Sequence, residues 1–222
     1  MKSVGLIRTV SATNWKLISL HGQILQSTFP FKILTRAIAL QPDGVHDEES
    51  RSRAVPKVVA VAKEMAGDVE GIIISCGVDP GLNEVRQELN LPVVGAGAAG
   101  AAAALALGHR VGVLSLTPWA PQSVVQALGN SLFAVESPPS IRTTNELLTP
   151  TGVFESLDAG QRLADAGSDV ILLASTGMTT MGIAGELRRR LGLPVVDGVL
   201  AAGAALIASI EGNWISPYRS VA

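Results

Sequence analysis

The chemistry in this sequence centres on Cys76, the one cysteine in 222 residues. It follows GIIIS (71–75), which has the pattern of a buried strand, and it precedes GVDPG (77–81), which is rich in helix breakers. A thiol between a strand and a possible helix start is expected to meet backbone N–H groups and the positive end of a helix dipole, and both lower a cysteine pKa. Cys76 is therefore either a reactive thiolate at a strand end or, on the plainer interpretation, a small buried hydrophobic residue.

A cluster of hydroxyl groups, STGMTT (175–180), follows the apolar run VILLA (170–174). Hydroxyls and free amides at a strand end can bind an oxyanion or a carboxylate, and they can also cap a helix. We expect this segment to do both. Arg8 lies at a matching strand end and is the one cation expected there, where it suits a carboxylate or an imide oxygen. The alternative for Arg8 is a surface position with a salt-bridge partner.

Gly95–Gly100 fits the GxGxxG pattern of a dinucleotide site between a strand and a helix. Such a site also needs an acidic residue about 20 positions later to hold the ribose, and the segment VLSL (113–116) has none. We interpret these glycines as close helix–strand packing and predict no cofactor. The histidines, His21, His46 and His109, have no ligand spacing with a carboxylate, so no metal site is predicted either.

Charge and composition exclude several classes of partner. The 17 Lys+Arg and 19 Asp+Glu residues nearly cancel, which gives no electrostatic reason to expect nucleic acid or an anionic membrane. A single cysteine excludes an intrachain disulfide and a thiolate zinc cluster, and it fits a reducing compartment. Arg8 interrupts the apolar run near the N-terminus, and the longest uncharged stretch, 90–108, is mostly Ala and Gly, so we predict a cytoplasmic protein with no membrane span.

Short β-branched runs alternate with helical patterns along the whole chain. This alternation predicts parallel sheets with right-handed crossovers, in a three-layer αβα arrangement. Pro56 is expected to break or delay the helix predicted at 48–65. The segment 136–151, rich in Pro, Ser and Thr, is expected to be a long loop.

The sequence also repeats itself. GIIISC (71–76) aligns with VILLAS (170–175), and each is followed by a helical pattern, by LPVV and by an Ala-rich helix. The repeat predicts two structurally similar halves of about the same size. Because ligands of open α/β sheets bind at the carboxyl ends of the strands, halves that face each other would present Cys76 and Ser175 to one shared cleft.

An ordered set of segments carries a resemblance to a known family: SCGVDPGL (75–82), LPVVG (91–95), LGHRVGVLSLT (107–117), STGM (175–178) and LGLPVVDGV (191–199). Over nearly its whole length the chain resembles the aspartate/glutamate/hydantoin racemase superfamily, most of all the hydantoin and allantoin racemase branch. The resemblance implies two flavodoxin-like subdomains related by a pseudo-twofold axis, with the substrate between them. One subdomain would contain 1–95 and 197–222, and the other 96–196.

The resemblance also implies cofactor-independent proton transfer at a carbon next to a carbonyl, with two cysteines facing each other across the substrate. Cys76 matches the first cysteine, but the second falls on Ser175, whose hydroxyl is far less acidic than a thiol and is not a comparable base. The explanations left open are an introduced Cys→Ser change, a natural one-thiol enzyme with one-sided chemistry such as decarboxylation, and a racemase that uses Ser175 with a water. A relative that decarboxylates arylmalonates also keeps one cysteine, but in the second half of its chain.

The predicted function is thus a cofactor-independent racemase or epimerase for a hydantoin or amino-acid type substrate, with Cys76 as acid/base and Ser175 opposite it. The alternatives are a single-thiol lyase or isomerase of the same superfamily and a small-molecule binding protein without turnover. A homo-oligomer is expected. The residues expected to bind the substrate are Arg8, Thr9, Ser75, Gly77, Thr117, Thr176 and Gly177.

Overall fold

The computed structural model of the chain describes residues 1–210 and confirms the α/β fold. Within these residues eight strands and ten helices alternate, and the strands form two parallel sheets of four strands each. The central strands are fully buried, as expected for parallel strands that helices cover on both faces.

The first sheet is built from the N-terminal part of the chain. Its elements in chain order are β1 (Lys2–Arg8), α1 (Trp15–Thr28), β2 (Phe31–Ala37), α2 (Glu48–Met65), β3 (Gly71–Ser75), α3 (Leu82–Glu88) and β4 (Val93–Gly95). The strands lie in the order β2-β1-β3-β4. Strand β3 therefore has neighbours on both sides, and the residue that follows it lies at the middle of the sheet edge.

The second sheet repeats this arrangement. Its elements, with the helices around it, are α4 (Ala96–Leu105), β5 (Val111–Leu114), α5 (Gln122–Leu128), β6 (Leu132–Glu136), α6 (Thr144–Leu147), α7 (Pro150–Asp165), β7 (Val170–Leu173), α8 (Thr176–Met181), α9 (Ile183–Leu191), β8 (Val195–Asp197) and α10 (Gly198–Ile210). The strand order is β6-β5-β7-β8, which matches the first sheet strand for strand.

The register of the strands confirms the internal repeat. Ile72 of β3 pairs with Val93 of β4, and Ile171 of β7 pairs with Val195 of β8. Strands β3 and β7 are thus equivalent, and both end at the carboxyl edge of their sheets. This equivalence places Cys76 and Ser175 at corresponding strand ends.

Helices α4 and α10 pack in the cores of different sheets. The core of the first sheet includes Val4 of β1 and Leu206 of α10, whereas the core of the second includes Val170 of β7 and Ala101 of α4. The predicted boundaries of the two subdomains stay a prediction, and the end of the first, 211–222, lies outside the described residues.

The Ala- and Gly-rich helices explain why the chain needs so few aromatic residues. Helices α4 and α10 approach closely, and a Cβ added to Gly100 would lie 3.2 Å from the Gly198 Cα. The uncharged stretch 90–108 contains β4 and α4. None of the helices within residues 1–210 has the length and hydropathy to cross a membrane.

Pro56 does not interrupt α2, so that expectation was wrong. The helix runs without a break from Glu48 to Met65, and a capping box between Asp47 and Ser50 fixes its start. Its apolar face, which includes Val58, is buried against the first sheet. We attribute the tolerance of proline to this packing, which offsets the one backbone hydrogen bond that proline removes.

The segment 136–151 is not a long loop either. It contains the short helix α6, which begins at a capping box formed by Thr143 and Glu146. Helix α7 then starts at Pro150, with Thr149 as its cap. The Ser, Thr and Pro content of this segment therefore marks helix starts, where these residues are favoured, as well as turns.

Candidate active site between the two sheets

A cavity of about 800 Å³ opens at the carboxyl ends of the central strands of both sheets. Its size suits a small organic ligand. The lining includes every residue predicted for the site from sequence: Arg8, Thr9, Ser75, Cys76, Gly77, Thr117, Ser175, Thr176 and Gly177. Their roles in catalysis and binding stay predictions.

Cys76 is the first residue after β3 and is 6% exposed. Burial has the largest effect and raises the pKa of the thiol, although the Thr9 hydroxyl and the Val78 N–H favour the thiolate. The nearby Asp79 carboxylate raises this pKa further, and Arg8 opposes it. The expectation of a lowered pKa was therefore wrong, because desolvation dominates and α3 begins only at Leu82, six residues after Cys76.

Ser175 occupies the N-cap position of α8, but its side chain makes no capping hydrogen bond. The predicted capping role is therefore wrong for Ser175, and its hydroxyl remains available to a ligand in the cavity. Helix α8 itself was missed because a six-residue helix built from Thr, Gly and Met has no distinct period.

The two strand-end turns contact each other directly. A Cβ added to Gly77 would overlap the carbonyl oxygen of Ala174, so this close approach requires glycine. On the other side, a Cβ added to Gly177 would lie 2.7 Å from Leu147 Cδ2. Gly77 therefore lets the backbone carrying Cys76 approach the backbone carrying Ser175, and Gly177 lets the Ser175 turn approach α6.

Arg8 is 4% exposed, so the surface interpretation is wrong. Burial lowers its pKa to about 10, which leaves the guanidinium charged at neutral pH. Among the described residues no carboxylate forms an ion pair with Arg8. Its Nε is buried without a hydrogen-bond partner in the described part of the chain. A buried cation of this kind at a cavity favours a ligand with a negative or strongly polarised oxygen.

The ionisable groups of the cavity all lie on one wall. Arg8 was expected to be the one cation, but Arg51 and Arg86 also line the cavity, together with Asp47, Glu48 and Glu84. The opposite wall, from the lining residues between 98 and 177, contains only apolar and neutral polar side chains. In the described chain, therefore, acid/base groups face a ligand from the Cys76 side alone.

His21 has a polar environment that the sequence did not reveal. Its position on the apolar side of α1 is confirmed, since the side chain is fully buried. Its ring nitrogens lie 2.8 Å from Ser75 Oγ and 2.8 Å from Thr180 Oγ1. Burial, and then the Arg8 charge, lower the pKa of His21 well below its usual value, so the ring is neutral. Ser75 and Thr180 are distant from His21 in the sequence. The only sequence signal for these contacts was a lone histidine on the apolar face of a helix.

Asp79 explains the GxGxxG pattern. Its buried carboxylate accepts hydrogen bonds from the Gly97 N–H (2.9 Å) and the Ala98 N–H (2.6 Å) at the start of α4. A Cβ added to Gly95 would overlap this carboxylate. In a dinucleotide site these N–H groups would bind pyrophosphate, whereas here a side chain occupies them. These glycines are therefore interpreted as packing residues that also leave space for the Asp79 carboxylate.

We expect Asp79→Asn to change how stability depends on pH. Burial raises the pKa of Asp79 to about 7, above its usual 3.8. The stabilising contribution of the neutral carboxyl is full below pH 3.8 and declines by about 1.4 kcal/mol per pH unit as the pH rises towards 7. The free energy of unfolding is measured with urea from about pH 4 to pH 8. As the pH rises over this range, the value for the native protein should fall relative to the value for Asp79→Asn. If the difference in free energy of unfolding between the two proteins did not vary with pH, the prediction would be contradicted. The matched control is Asp43→Asn, because Asp43 is exposed.

Comparison with known proteins gives consistent matches. The family model described as Asp/Glu/hydantoin racemase matches residues 19–206. A hydantoin racemase from Pseudomonas sp. (strain NS671) is 30% identical over 158 residues, which cover 67% of this chain and 61% of that protein. A hydantoin racemase from Rhizobium meliloti is 25% identical over 179 residues, covering 72% of this chain and 69% of that protein. The match thus spans less than two thirds of the first of these relatives.

Solved structures show the same fold. Allantoin racemase from Klebsiella pneumoniae superposes with a TM-score of 0.81 at 21% identity, covering 94% of this chain and 87% of that chain. A liganded mutant of arylmalonate decarboxylase superposes with a TM-score of 0.68 at 18% identity, covering 96% and 94%. In that mutant one glycine is replaced by cysteine and one cysteine by serine. Among residues 1–210, no group of three or more His, Cys, Asp or Glu side chains is placed to hold a metal ion.

Proposed function

The chain belongs to the Asp/Glu/hydantoin racemase family, and from this premise we propose that it transfers a proton at a carbon next to a carbonyl group, with Cys76 as the acid/base. The observation that carries the proposal is the position of Cys76, which lines the same cavity as the Ser175 turn. No cofactor takes part in the proposed reaction.

The proposed step needs a base, a stabilised carbanion and an acid. Cys76 first loses its thiol proton to solvent water, and as thiolate it then removes the proton from the carbon, so that the electron pair moves onto the carbonyl oxygen to form an enolate. Hydroxyl and N–H groups near Ser175, with Thr117 and Thr176 as candidates, stabilise the developing negative charge. The thiol then returns a proton to the carbon, which restores the thiolate and completes the cycle.

Hydantoin or amino-acid type molecules are the proposed substrates. Their carbonyl or carboxylate oxygens suit the buried Arg8 and the hydroxyl of Thr9, which both line the cavity. A cavity of about 800 Å³ also leaves space beside a five-membered ring for a substituent.

Because ionisable side chains line only the Cys76 side of the cavity, we expect proton transfer to differ in rate between the two faces of the substrate. Racemisation needs a proton removed from one face and a proton added to the other. In the proposed arrangement the second face meets Ser175, a residue that lines the cavity and whose hydroxyl is a poor base and a poor acid near neutral pH. We therefore propose that proton exchange on the Cys76 face is faster than racemisation.

Decarboxylation is the second candidate, and one observation favours it. Burial raises the pKa of Cys76, so the thiol is protonated at neutral pH and is ready to donate. When a substituted malonate loses CO2, the resulting enolate needs one proton on one face, and a single thiol supplies it.

The proposal is tested by incubating the native protein in D2O with 5-substituted hydantoins, aspartate, glutamate and an aryl-substituted malonate. Deuterium appearing at the carbon next to the carbonyl, seen by proton NMR, supports proton transfer. Release of CO2 from the malonate without exchange of the hydantoins would instead favour decarboxylation. Thermal stabilisation by a ligand that undergoes neither reaction would contradict both and would indicate a binding protein.

A cytoplasmic location and a homo-oligomeric state complete the proposal. The location rests on the reducing compartment that a single free cysteine fits, and gel filtration with light scattering would decide the oligomeric state.

A further inference from the structure

At one side of the cavity, buried and partly buried side chains from both halves of the chain form a hydrogen-bond circuit. Arg8 and His21 belong to the first sheet and its helix α1, Ser75 ends β3, and Thr176 and Thr180 belong to α8 of the second half. Arg8, His21 and Ser75 are each 4% exposed or less. The circuit therefore connects the two halves in a region that solvent hardly reaches.

The direction of the hydrogen bonds follows from the donors available. The Arg8 guanidinium has no acceptor, and its NH1 lies closer to His21 Nδ1 than to His21 Nε2, which is 2.9 Å away. We therefore assign Nδ1 as the acceptor of hydrogen bonds from Arg8 and from the Ser75 hydroxyl, and we place the hydrogen of the neutral ring on Nε2. This hydrogen is donated to Thr180 Oγ1 at 2.8 Å.

The circuit continues through α8 and returns to β3. The Thr180 hydroxyl donates to the carbonyl oxygen of Thr176 at 3.5 Å, and the Thr176 hydroxyl donates to the carbonyl oxygen of Ser75 at 3.4 Å. Ser75 Oγ closes it, 3.4 Å from Arg8 NH1 and 2.8 Å from His21 Nδ1. Ser75 precedes Cys76, and Thr176 follows Ser175. The circuit thus holds Ser75 and Thr176, and each of them is next in the chain to a residue proposed to face the substrate.

We propose that His21 is a positioning residue that holds the Cys76 turn and helix α8 at a fixed separation. Its two ring nitrogens are bonded to opposite sides of the cleft, which an apolar side chain of the same size could not reproduce. The role in catalysis rests on the proposed function, whereas the role in fixing the two turns does not.

The variants that test this proposal distinguish the hydrogen bond of His21 Nε2 from that of His21 Nδ1. His21→Gln places an amide N–H near the position of Nε2 and keeps the bond to Thr180, whereas His21→Asn reaches only the position of Nδ1. Thr180→Val removes the hydroxyl from the other side with little change of volume. Thr179→Val is the matched control, because Thr179 is not among the residues that line the cavity, and its hydroxyl binds Asp197 (3.0 Å) and takes no part in the circuit.

On the proposed reaction, we expect His21→Asn and Thr180→Val to lower kcat for exchange by about tenfold to a hundredfold with KM nearly unchanged, as a misplaced acid/base group does. His21→Gln should recover much of this loss, and Thr179→Val should behave as native. The double variant His21→Asn/Thr180→Val should lose no more than either single variant, because both break the same link.

A second measurement does not depend on activity. Because Cys76 is the one cysteine of the chain, its alkylation by iodoacetamide reports on this turn alone. We expect the alkylation rate at high pH, where the thiol is ionised, to rise at least about fivefold in His21→Asn and Thr180→Val, because the freed turn opens more often. The rate should not change in Thr179→Val.

The outcomes separate the two proposals. Faster alkylation in a protein that shows no exchange would support the positioning role and overturn the proposed function. Alkylation and kcat within about twofold of native in both His21→Asn and Thr180→Val would overturn the positioning role and leave the proposed function standing. Equal losses in His21→Gln and His21→Asn would also contradict it, because the bond from Nε2 would then not matter.

Discussion

Replacing Cys76 with alanine is expected to lower the rate of proton exchange by about 10²–10⁴-fold, the usual contribution of a general acid/base. The two buried charged neighbours of Cys76, Arg8 and Asp79, are not free to take over. The buried Arg8 stays protonated at neutral pH, and the Asp79 carboxylate is occupied by the N–H groups of Gly97 and Ala98. The loss should appear in kcat and kcat/KM together, because the thiol acts in the transition state.

The measurement is deuterium incorporation into a substrate identified with the native protein. Cys76→Ser serves as a second variant, since its hydroxyl keeps a hydrogen-bonding group at the position but is not a comparable base. Thermal unfolding of both variants should stay near that of the native protein, which separates lost chemistry from lost structure. Exchange that survives in Cys76→Ala would assign the proton transfer to another group and would contradict the proposed mechanism.

Replacing Ser175 with cysteine is expected to raise the racemisation rate by about tenfold or more, because a thiol then stands on each face of the substrate. Ser175 makes no capping hydrogen bond, so the substitution removes no contact that α8 needs. Exchange on the Cys76 face should change little. The ratio of racemisation to exchange is therefore the quantity that should increase.

The matched control is Ser115→Cys, which places a thiol on the same wall of the cavity but at the end of β5. It should leave the racemisation rate at the native level. A gain in Ser115→Cys equal to that in Ser175→Cys would show that any added thiol suffices. An unchanged or lower racemisation rate in Ser175→Cys would contradict the proposed pairing of Cys76 with Ser175 across the substrate.

The sequence could predict the location of the site because the chain repeats itself. Equivalent strands in two parallel sheets end at equivalent edges, so aligning GIIISC (71–76) with VILLAS (170–175) was enough to bring Cys76 and Ser175 to one cleft. Residues that follow other central strands, such as Arg8 and Thr117, line the same cavity for the same reason.

The sequence could not predict the properties that depend on burial and on distant partners. The turn after Cys76 contains residues that often start a helix, yet the pKa of the thiol is raised, because burial outweighs the local hydrogen bonds. His21 reaches Thr180, and Asp79 reaches the first turn of α4, only after the sheets have packed. Local patterns identify strand ends, but the electrostatics of the site belong to the tertiary structure.

The most direct test of a single acid/base group on one face is to follow each pure enantiomer of a reactive substrate with the native protein in D2O. Deuterium incorporation and loss of optical activity are measured in the same sample. The proposed mechanism predicts that one enantiomer gains deuterium faster than it loses optical activity, because the Cys76 thiol exchanges the removed proton for a deuteron from the solvent and returns the deuteron on the same face. Equal exchange of both enantiomers, each at the rate of racemisation, would contradict it.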